Sequence, residues 1–244
     1  MSEDLRDIYS RSPEIFKRLR KEIDKVIVGQ DMAIEQLLIS LLAGGHALLE
    51  SNPGLAKTLL VKTTASCLGL DYSRIQCTPD LMPADITGTT IIEETESGKS
   101  FRFEAGPVFS NIVLADEINR ASPKTQSALL EAMQEKQVTV GNKTYLLDRP
   151  FFILATQNPI EMEGTFPLPE AQLDRFLLKI LLDYPGKEEE MEILERYTVR
   201  SEPEVETVVG KEELLALQQL CRDIPVSDEI KSAVVNLVLA TRAW

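Results

Sequence analysis

A lysine and a threonine stand side by side at the start of a predicted helix, directly behind a short apolar strand. The strand is His46–Glu50, and the segment that follows reads Ser51-Asn52-Pro53-Gly54-Leu55-Ala56-Lys57-Thr58. Backbone N–H groups at the start of a helix attract phosphate oxygens, because these donors have no partner within the helix and the helix dipole favours negative charge. Lys57 would reach the β- and γ-phosphates of a nucleotide, and the Thr58 hydroxyl would bind Mg²⁺. The segment therefore predicts a phosphate-binding loop.

The loop departs from the pattern G-x-x-x-x-G-K-[ST] at both glycines, because Ser51 and Ala56 occupy those positions. Both side chains are small, so a phosphate can still approach the backbone, but a positive φ at either position would be strained. The alternative interpretation is a strand, a turn and a helix with an incidental Lys-Thr pair, and the loop alone favours neither. The residues that we assign to nucleotide binding in this segment are Asn52, Pro53, Gly54, Leu55, Ala56, Lys57, Thr58 and Leu59.

Two adjacent carboxylates end a later apolar strand. The run Ile112–Asp116 is followed directly by Glu117, and ligands of open α/β sheets bind at the carboxyl ends of the strands. Asp116 would hold Mg²⁺, commonly through water, and Glu117 would orient and activate the attacking water. A solvated strand end is the alternative for an isolated Asp-Glu pair. The pair becomes specific because it follows a candidate phosphate loop by one crossover strand.

An amide follows the next apolar strand, Phe151–Thr156. Asn158 precedes a proline there, and an Asn-Pro pair by itself indicates a turn. Because this strand comes third behind the loop and the acidic pair, we interpret Asn158 as a polar sensor that positions the same water or contacts the γ-phosphate.

Short apolar strands alternate with helices around these motifs, as in a parallel sheet that is covered on both faces. The predicted strands are His46–Glu50, Arg74–Cys77, Ile112–Asp116, Phe151–Thr156 and Leu177–Leu182. The predicted helices are Asp31–Ala43, Lys57–Leu68 and Pro123–Lys136. Two predicted hairpins interrupt the alternation: Ile91–Glu94 with Ser100–Phe103 around Ser97-Gly98-Lys99, and Val138–Val140 with Thr144–Leu147 around Gly141-Asn142-Lys143.

From Gly186 onward the pattern is helical only. It predicts an α/β domain over residues 1–185 and a helical domain over residues 186–244. The predicted helices of the second domain are Lys187–Arg200, Lys211–Arg222 and Ser227–Arg242. The first of them is amphipathic, and we expect Met191, Leu194 and Thr198 to face inward.

The composition favours protein partners. A formal net charge of −13 should repel DNA, RNA and anionic lipid, since no long run of Lys and Arg opposes it. No apolar run is long enough for a transmembrane segment, and the charged start lacks the apolar core of a signal peptide. Cys67, Cys77 and Cys221 show neither a zinc spacing nor a disulfide framework. We therefore expect a cytoplasmic protein.

The sequence resembles the MoxR ATPases within the AAA+ class of P-loop NTPases. The match covers about Lys25 to Pro185, and the stretches that carry it are VIVGQ, LLESNPGLAKT, GPVFSNIVLADEINRASPKTQSALLEAMQEKQVTV and FFILATQNPIEMEGTFPLPEAQLDRF, together with the two hairpins. The resemblance implies binding of ATP and Mg²⁺. It also implies an α/β fold with a parallel five-stranded sheet, in strand order 5-1-4-3-2, between helices, followed by a partial all-α lid.

The resemblance also implies roles for particular residues. Asp116 and Glu117 match the Walker B pair, and Asn158 matches sensor 1. The first hairpin resembles the helix-2 insert of this clade, and the second resembles the hairpin before sensor 1. The residues that match the adenine-binding segment are Val28, Gly29 and Gln30.

Arg175 matches the arginine finger, which would act on the nucleotide of a neighbouring subunit. Phosphoryl transfer spreads negative charge over equatorial oxygens, and a guanidinium supplied in trans accelerates it about 10³–10⁵-fold, or roughly 4–7 kcal/mol of barrier. The alternative role is a structural ion pair. Arg120, just behind the acidic pair, is a weaker candidate for facing a neighbour.

Members of the family usually continue into a complete lid that carries a sensor-2 arginine. This sequence stops at Thr241-Arg242-Ala243-Trp244, before such a motif. We therefore expect a shortened lid, either because the chain is a truncated form or because the protein lacks sensor 2.

The resemblance implies an ATP-hydrolysing ring, hexameric in form, that remodels or matures a protein client, for example by metal or cofactor insertion or complex assembly. A partner with a von Willebrand factor A domain is common in such systems. Because of Ser51 and the shortened lid, a nucleotide-gated assembly module with little turnover is the second hypothesis. A DNA-remodelling relative is the third, and it is disfavoured because the second hairpin carries only Lys143 at its tip.

Overall fold

The computed structural model of the chain describes residues 3–95, 98–159, 164–198 and 203–242. The helices of the described residues are α1 (Glu3–Asp24), α2 (Asp31–Leu42), α3 (Lys57–Cys67), α4 (Pro83–Thr87), α5 (Pro123–Glu135), α6 (Glu170–Leu173), α7 (Lys187–Tyr197), α8 (Lys211–Asp223) and α9 (Asp228–Thr241). The strands are β1 (Ala47–Ser51), β2 (Tyr72–Gln76), β3 (Gly88–Thr95), β4 (Gly98–Ala105), β5 (Ile112–Asp116), β6 (Gln137–Val140), β7 (Lys143–Leu146), β8 (Phe152–Gln157) and β9 (Leu178–Leu182). Three residues named in the sequence analysis lie outside the described residues. They are Ser97 at the tip of the first predicted hairpin, Arg200 at the end of the predicted helix Lys187–Arg200, and Trp244 in the final stretch Thr241–Trp244.

Five parallel strands form the central sheet in the order β2-β5-β8-β1-β9. Numbered along the chain as core strands and read from the other side, this is the predicted order 5-1-4-3-2, so the predicted fold class is confirmed. β5 is buried along its whole length and β8 nearly so, because apolar residues on both faces pack beneath helices.

Successive residues of β5 enter different halves of the core. Ile112 and Leu114 belong to a cluster with Leu37 of α2 and Leu60 of α3. Val113, by contrast, packs with the residues of α4 and α5 on the opposite face. Since side chains alternate across a strand, the sheet separates the two halves and holds the strand ends at fixed positions.

Both hairpins form where the sequence predicted them. β3 pairs antiparallel with β4, and β6 pairs antiparallel with β7. The first hairpin is longer than predicted, because pairing extends from Thr95 opposite Gly98 down to Gly88 opposite Ala105. An aromatic stack joins the two hairpins, with the rings of Phe103 and Tyr145 4.0 Å apart between centroids.

The amino-terminal helix α1 was absent from the sequence prediction. Its residues Ile15, Leu19 and Ile23 are buried, and their spacing of four places them on one helical face. α8 packs on the same side of the sheet, where Leu214 and Leu217 join this cluster. A separate helical domain over residues 186–244 stays a prediction.

The helices of the carboxyl-terminal part differ in how they are covered. Gln218 of α8 donates to the carbonyl oxygen of Leu41 at 2.7 Å, which ties α8 to α2. The described residues of α9 are all exposed. Among the helices described here, none is long and apolar enough to cross a membrane.

Candidate functional site

The predicted phosphate loop runs from the end of β1 to the start of α3. Ser51 is the last residue of β1, is buried, and donates its hydroxyl to the Asn52 carbonyl at 3.2 Å. Its φ is not positive, so the strain that the sequence raised as a concern does not arise there. Ala56 does have a positive φ, of 53°, in a region that disfavours L-residues by about 1–2 kcal/mol. The loop therefore accepts backbone strain at the residue directly before Lys57.

The start of α3 is open to an anion. Ala56 precedes the helix and offers no side-chain cap, so the N–H groups of the first turn have no acceptor within the helix. Lys57 and Thr58 begin that turn and are half-buried. Gly54 has a φ of 84°, and a Cβ there would meet no atom within 4 Å. The loop thus leaves free space beside unpaired donors, as phosphate binding requires.

The predicted acidic pair lies at the carboxyl end of β5. Asp116 is buried, and Thr156 of β8 donates a hydrogen bond of 2.6 Å to its Oδ1. The same hydroxyl accepts the backbone N–H of Glu117 at 2.9 Å. Thr156 therefore fixes the carboxylate of one acid and the backbone of the next. Because Glu117 has a φ of 58°, the chain turns sharply between the two acids.

Two arginines contact the carboxylates of this pair. Arg74 of β2 donates to Asp116 Oδ2 at 2.6 Å. Arg120, which ends a 3₁₀ turn behind the pair, donates to Glu117 Oε2 at 3.0 Å. Gln76 approaches the same oxygen at 3.4 Å. In this structure a cation that binds Asp116 therefore competes with a guanidinium.

Asn158 is buried directly beyond β8. β8 lies between β5 and β1, so Asn158 stands between the acidic pair and the phosphate loop. With strands about 4.8 Å apart, the ends of β5 and β1 are separated by roughly 10 Å. The structure therefore brings three predicted site residues to the same end of the sheet, where the strands have their carboxyl ends: Lys57, Asp116 and Asn158.

An apolar pocket of about 160 Å³ adjoins the phosphate loop. Gly54, Leu55, Ala56 and Leu59 of the loop and α3 line it, as do Val28 and Gln30 of the predicted adenine segment. Further lining residues are Val26, Ile27, Leu60, Leu182, Pro185, Ile193 and Tyr197.

Gly29 is not among the lining residues. It has a φ of 65°, and a Cβ there would fall 2.4 Å from a carboxylate oxygen of Glu189. Gly29 therefore lets the predicted adenine segment approach α7 closely, whereas Val28 and Gln30 line the pocket. The side chain of Gln30 donates to the Asp183 carbonyl at 2.7 Å, which holds this segment against the end of β9.

The inward face of α7 differs from the sequence prediction. Met191, Leu194 and Thr198 are exposed, whereas Ile193 and Tyr197 line the apolar pocket. The prediction was wrong because Ile193 and Leu194 are adjacent apolar residues, so the sequence pattern allows more than one inward helical face. Tyr197 also donates its hydroxyl to the Val26 carbonyl at 2.7 Å, which closes the pocket on that side.

Arg175 lies at the other end of the sheet. Two residues further on, the N–H of Leu177 donates to the His46 carbonyl, which precedes β1, whereas the phosphate loop follows the carboxyl end of β1. The exposed side chain of Arg175 rests on α5, where it donates to the Leu130 carbonyl at 3.1 Å and contacts Gln134. The structure therefore does not bring Arg175 to the acidic pair of its own chain.

Several known proteins are similar to this chain in sequence. The family described as "ATPase family associated with various cellular activities (AAA)" matches residues 46–178. The chaperone MoxR1 of Mycobacterium tuberculosis is 50% identical over 221 residues, which cover 91% of this chain and 58% of that protein. Protein YeaC of Bacillus subtilis is 47% identical over 243 residues, which cover 98% of this chain and 72% of that protein. The chain belongs to the MoxR family of AAA+ ATPases.

A solved crystal structure is similar to this chain over almost its whole length. A candidate ATPase from Cytophaga hutchinsonii superimposes with a TM-score of 0.89 at 47% identity, covering 99% of this chain and 74% of that one. The chain spans only 58% of the length of the Mycobacterium chaperone.

The donor set of this MoxR chain fits a magnesium nucleotide. Mg²⁺ prefers hard oxygen ligands and is usually held by one or two protein oxygens together with phosphates. The buried carboxylate of Asp116 and the hydroxyl of Thr58, in the first turn of α3, are oxygens of this kind. When bound, the ion would neutralise charge that develops on the phosphates.

Sequence reasoning missed Thr156 and Arg74 as site residues of this MoxR chain. Thr156 was seen only as the end of a strand and Arg74 only as the start of one. The signal for Thr156 was a hydroxyl at the end of the strand before Asn158. The contact of Arg74 with Asp116 follows from the register, in which β2 pairs with β5 and Gln76 is opposite Asp116.

Proposed function

We propose that the chain binds ATP with Mg²⁺ and hydrolyses it, as the motor part of an oligomeric MoxR-type chaperone that remodels or matures a protein client. The observation that carries the proposal is the convergence of the open start of α3, the buried Asp116 and the buried Asn158 at the carboxyl ends of adjacent strands. This is where open α/β sheets bind ligands.

The proposed roles divide between binding and chemistry. The loop residues 52–59 and the ammonium of Lys57 hold the phosphates, while Thr58 and Asp116 supply oxygens for Mg²⁺. The apolar pocket, with Val28 and Gln30, receives the adenine, because a flat apolar base gains from burial there. Gly29 lets this segment approach α7.

Glu117 is the proposed base that orients the attacking water, with Asn158 as its polar companion. In the described structure the carboxylate of Glu117 is engaged by Arg120. Arg120 and Gln76 both contact Oε2 of that carboxylate. Because an ionised carboxylate has two oxygens that accept hydrogen bonds, Oε1 remains able to accept from the attacking water.

Arg175 is the proposed arginine finger for a neighbouring subunit. Its position near the amino ends of β1 and β9 keeps it from the phosphate loop of its own chain. A second subunit is therefore needed to complete the site. A closed ring, which the family resemblance implies is a hexamer, gives every subunit such a neighbour.

A nucleotide-gated assembly module with little turnover is the second candidate. The specific observation in its favour is that both acids of the site are already paired, Asp116 with Arg74 and Glu117 with Arg120. If these pairs persist with nucleotide bound, the chain binds ATP and assembles without efficient hydrolysis.

The remaining proposals concern surroundings of the site. We propose a cytoplasmic location, a protein client and a partner with a von Willebrand factor A domain. We propose no nucleic-acid track, in keeping with the net charge of −13.

We further propose that residues 186–244 act as a partial lid over the nucleotide, since Ile193 and Tyr197 of α7 line the apolar pocket.

ATP turnover measured over a range of protein concentrations tests the proposal. We expect the specific activity to rise with concentration, because Arg175 acts between subunits, and to vanish in Glu117→Gln while ATP binding remains. Sedimentation with and without ATP and Mg²⁺ measures assembly in the same samples. Saturable ATP binding and assembly with negligible turnover would favour the second candidate, and absence of ATP binding would overturn both.

A further inference from the structure

A second cavity lies near the amino ends of β1 and β8, and it shares no lining residue with the apolar pocket. Its volume is about 260 Å³. Gly44, which precedes β1, and Arg149, which precedes β8, both line it. The helical side is formed by Lys136, just behind α5, and by residues of α8. We call this space the cation cavity.

Each ionisable side chain that is described in the lining of the cation cavity is basic: Lys136, Arg149 and Arg222. The chain as a whole carries 39 acidic and 26 basic residues, so an unopposed basic cluster runs against its composition. Gln218 and Gln219 complete the polar part of the lining. The cavity is therefore a local site of positive potential on an acidic protein.

The charges of the cation cavity are not neutralised by neighbouring acids. Within the described ranges, Lys136, Arg149 and Arg222 form no ion pair. Of the acids next to the two arginines in sequence, Asp148 pairs with Lys211. Asp223 accepts from Gln219 of the lining at 3.0 Å and forms no ion pair with Arg222.

The three cations are also close enough to affect one another. Burial lowers the pKa of Lys136, and the nearby guanidinium groups of Arg149 and Arg222 lower it further. Lys136 adopts a φ of 53° behind α5, a position where glycine is usual. The structure thus holds a lysine, at the expense of backbone strain, beside two like charges.

Helix capping accounts for only part of this cluster. Lys136 and Arg222 lie at the carboxyl ends of α5 and α8, where cations interact favourably with the helix dipole. Arg149 lies in the segment before β8 and caps neither helix. The convergence of all three on one cavity therefore needs another explanation.

We propose that the cation cavity binds a small multivalent oxyanion of the phosphate class. Guanidinium groups present paired donors to such anions, and an ammonium group adds a point charge. A water molecule occupies about 30 Å³ in the liquid, so a cavity of about 260 Å³ admits a phosphate or a pyrophosphate with some solvent. Gly44 keeps the approach open, because a Cβ there would lie 3.3 Å from Arg222 Nη2.

Titration of inorganic phosphate and of pyrophosphate at low ionic strength tests this proposal. The protein carries Lys57→Ala, which removes the main cation of the phosphate loop, and calorimetry measures binding. We expect saturable binding that weakens about tenfold or more in Arg149→Gln with Arg222→Gln. The matched control is Lys99→Gln with Lys231→Gln, which makes the same change of charge on exposed lysines outside the lining. Binding in that control should stay within about twofold.

A local probe keeps the test decisive if the double arginine variant does not fold. Lysines are dimethylated with ¹³C, which preserves their charge, and the Lys136 signal is assigned by its loss in Lys136→Arg. A saturable shift of this signal with phosphate supports the proposal, and tighter binding of pyrophosphate assigns a diphosphate ligand rather than a single phosphate group. No shift at millimolar anion, or an equal loss of binding in the lysine control, overturns it.

Discussion

Thr156 Oγ1 donates a 2.6 Å hydrogen bond to Asp116 Oδ1 and accepts the N–H of Glu117. One hydroxyl on β8 therefore fixes the carboxylate of Asp116, the last residue of β5, and the backbone of Glu117, which follows it. Thr156→Val keeps the shape of the side chain but removes the donor and the acceptor. We expect ATP turnover to fall about 10- to 100-fold, as is common when a group that orients a metal ligand is lost.

Thr156→Ser is the matched control, because it retains the hydroxyl and should keep activity close to that of the unaltered chain. The valine variant should also lose about 1–3 kcal/mol of unfolding free energy, since a buried carboxylate loses a donor. Urea unfolding measures this loss. Equal activity of the valine and serine variants would show that the hydroxyl has no positioning role.

We expect Arg74 to compete with magnesium for Asp116. Its guanidinium contacts Oδ2 at 2.6 Å, and about 45% of its side chain is exposed, so solvent weakens the pair. In Arg74→Gln we expect half-maximal ATP turnover at a Mg²⁺ concentration lower by a few-fold, because the competing cation is gone. Turnover measured over a magnesium titration at saturating ATP gives this value.

The control for Arg74 is Arg102→Gln, which removes one exposed arginine from the first hairpin, where it pairs with Glu93. Its magnesium dependence should be unchanged. If Arg74→Gln instead lowers the maximal rate without shifting the magnesium dependence, the guanidinium orients Asp116 rather than competing with the ion.

Arg175 should act on a neighbour and not on its own chain. Arg175→Ala is expected to lower turnover by about 10³–10⁵-fold with ATP binding retained. Glu117→Gln should be inactive for a different reason, the loss of the base. Mixing the two inactive variants should restore part of the activity, because some interfaces then combine an intact Glu117 with an intact Arg175.

Activity that stays absent at every mixing ratio would contradict action between subunits, provided that sedimentation shows mixed assemblies. Arg175→Lys serves as the companion variant. It keeps a positive charge but loses the planar fork, so we expect only a partial rescue.

His46 makes the stability of the chain depend on pH. Burial lowers its pKa from 6.5 to about 4. Its Nδ1 accepts the N–H of Ile153 at 3.0 Å, so Nε2 carries the hydrogen that faces the Met133 carbonyl at 3.1 Å. The folded chain therefore keeps this ring neutral down to about pH 4.

The unfolded chain protonates the same histidine near pH 6.5. Between that pH and about 4 the unfolded state binds more protons, so the unfolding free energy falls as the pH is lowered, by about 3 kcal/mol in total. Above this window the contribution is constant. Urea unfolding gives the unfolding free energies of the unaltered chain and of His46→Gln. From pH 7 to pH 4 the unaltered chain should lose more of its unfolding free energy than His46→Gln does, by about that amount. Parallel curves would refute the assignment, because carboxylates titrate in both proteins.

Local patterns sufficed for the parts of the site that lie within one stretch of sequence. Lys57 and Thr58 are marked by the strand before them and the helix behind, and Asp116 and Glu117 by the apolar run of β5. The resemblance to MoxR proteins supplied the sheet order, which no single segment contains.

Contacts between strands could not be predicted in the same way. Thr156 and Arg74 reach Asp116 only because β8 and β2 flank β5 in a particular register. The helical phase of α7 was equally hidden, since Ile193 and Leu194 are neighbours in sequence and only packing against the pocket selects Ile193. The placement of α1 on the core required the whole set of surrounding helices.

The separation of Arg175 from the phosphate loop gives any assembly built on this contact a direction. A two-fold dimer joins one surface patch to its own copy, whereas here an arginine near the start of β9 must meet a loop behind the end of β1. Such a contact repeats head to tail. Each copy then has one donor side and one acceptor side, so an arrangement that fails to close leaves an unmatched arginine at one terminus and an incomplete nucleotide site at the other.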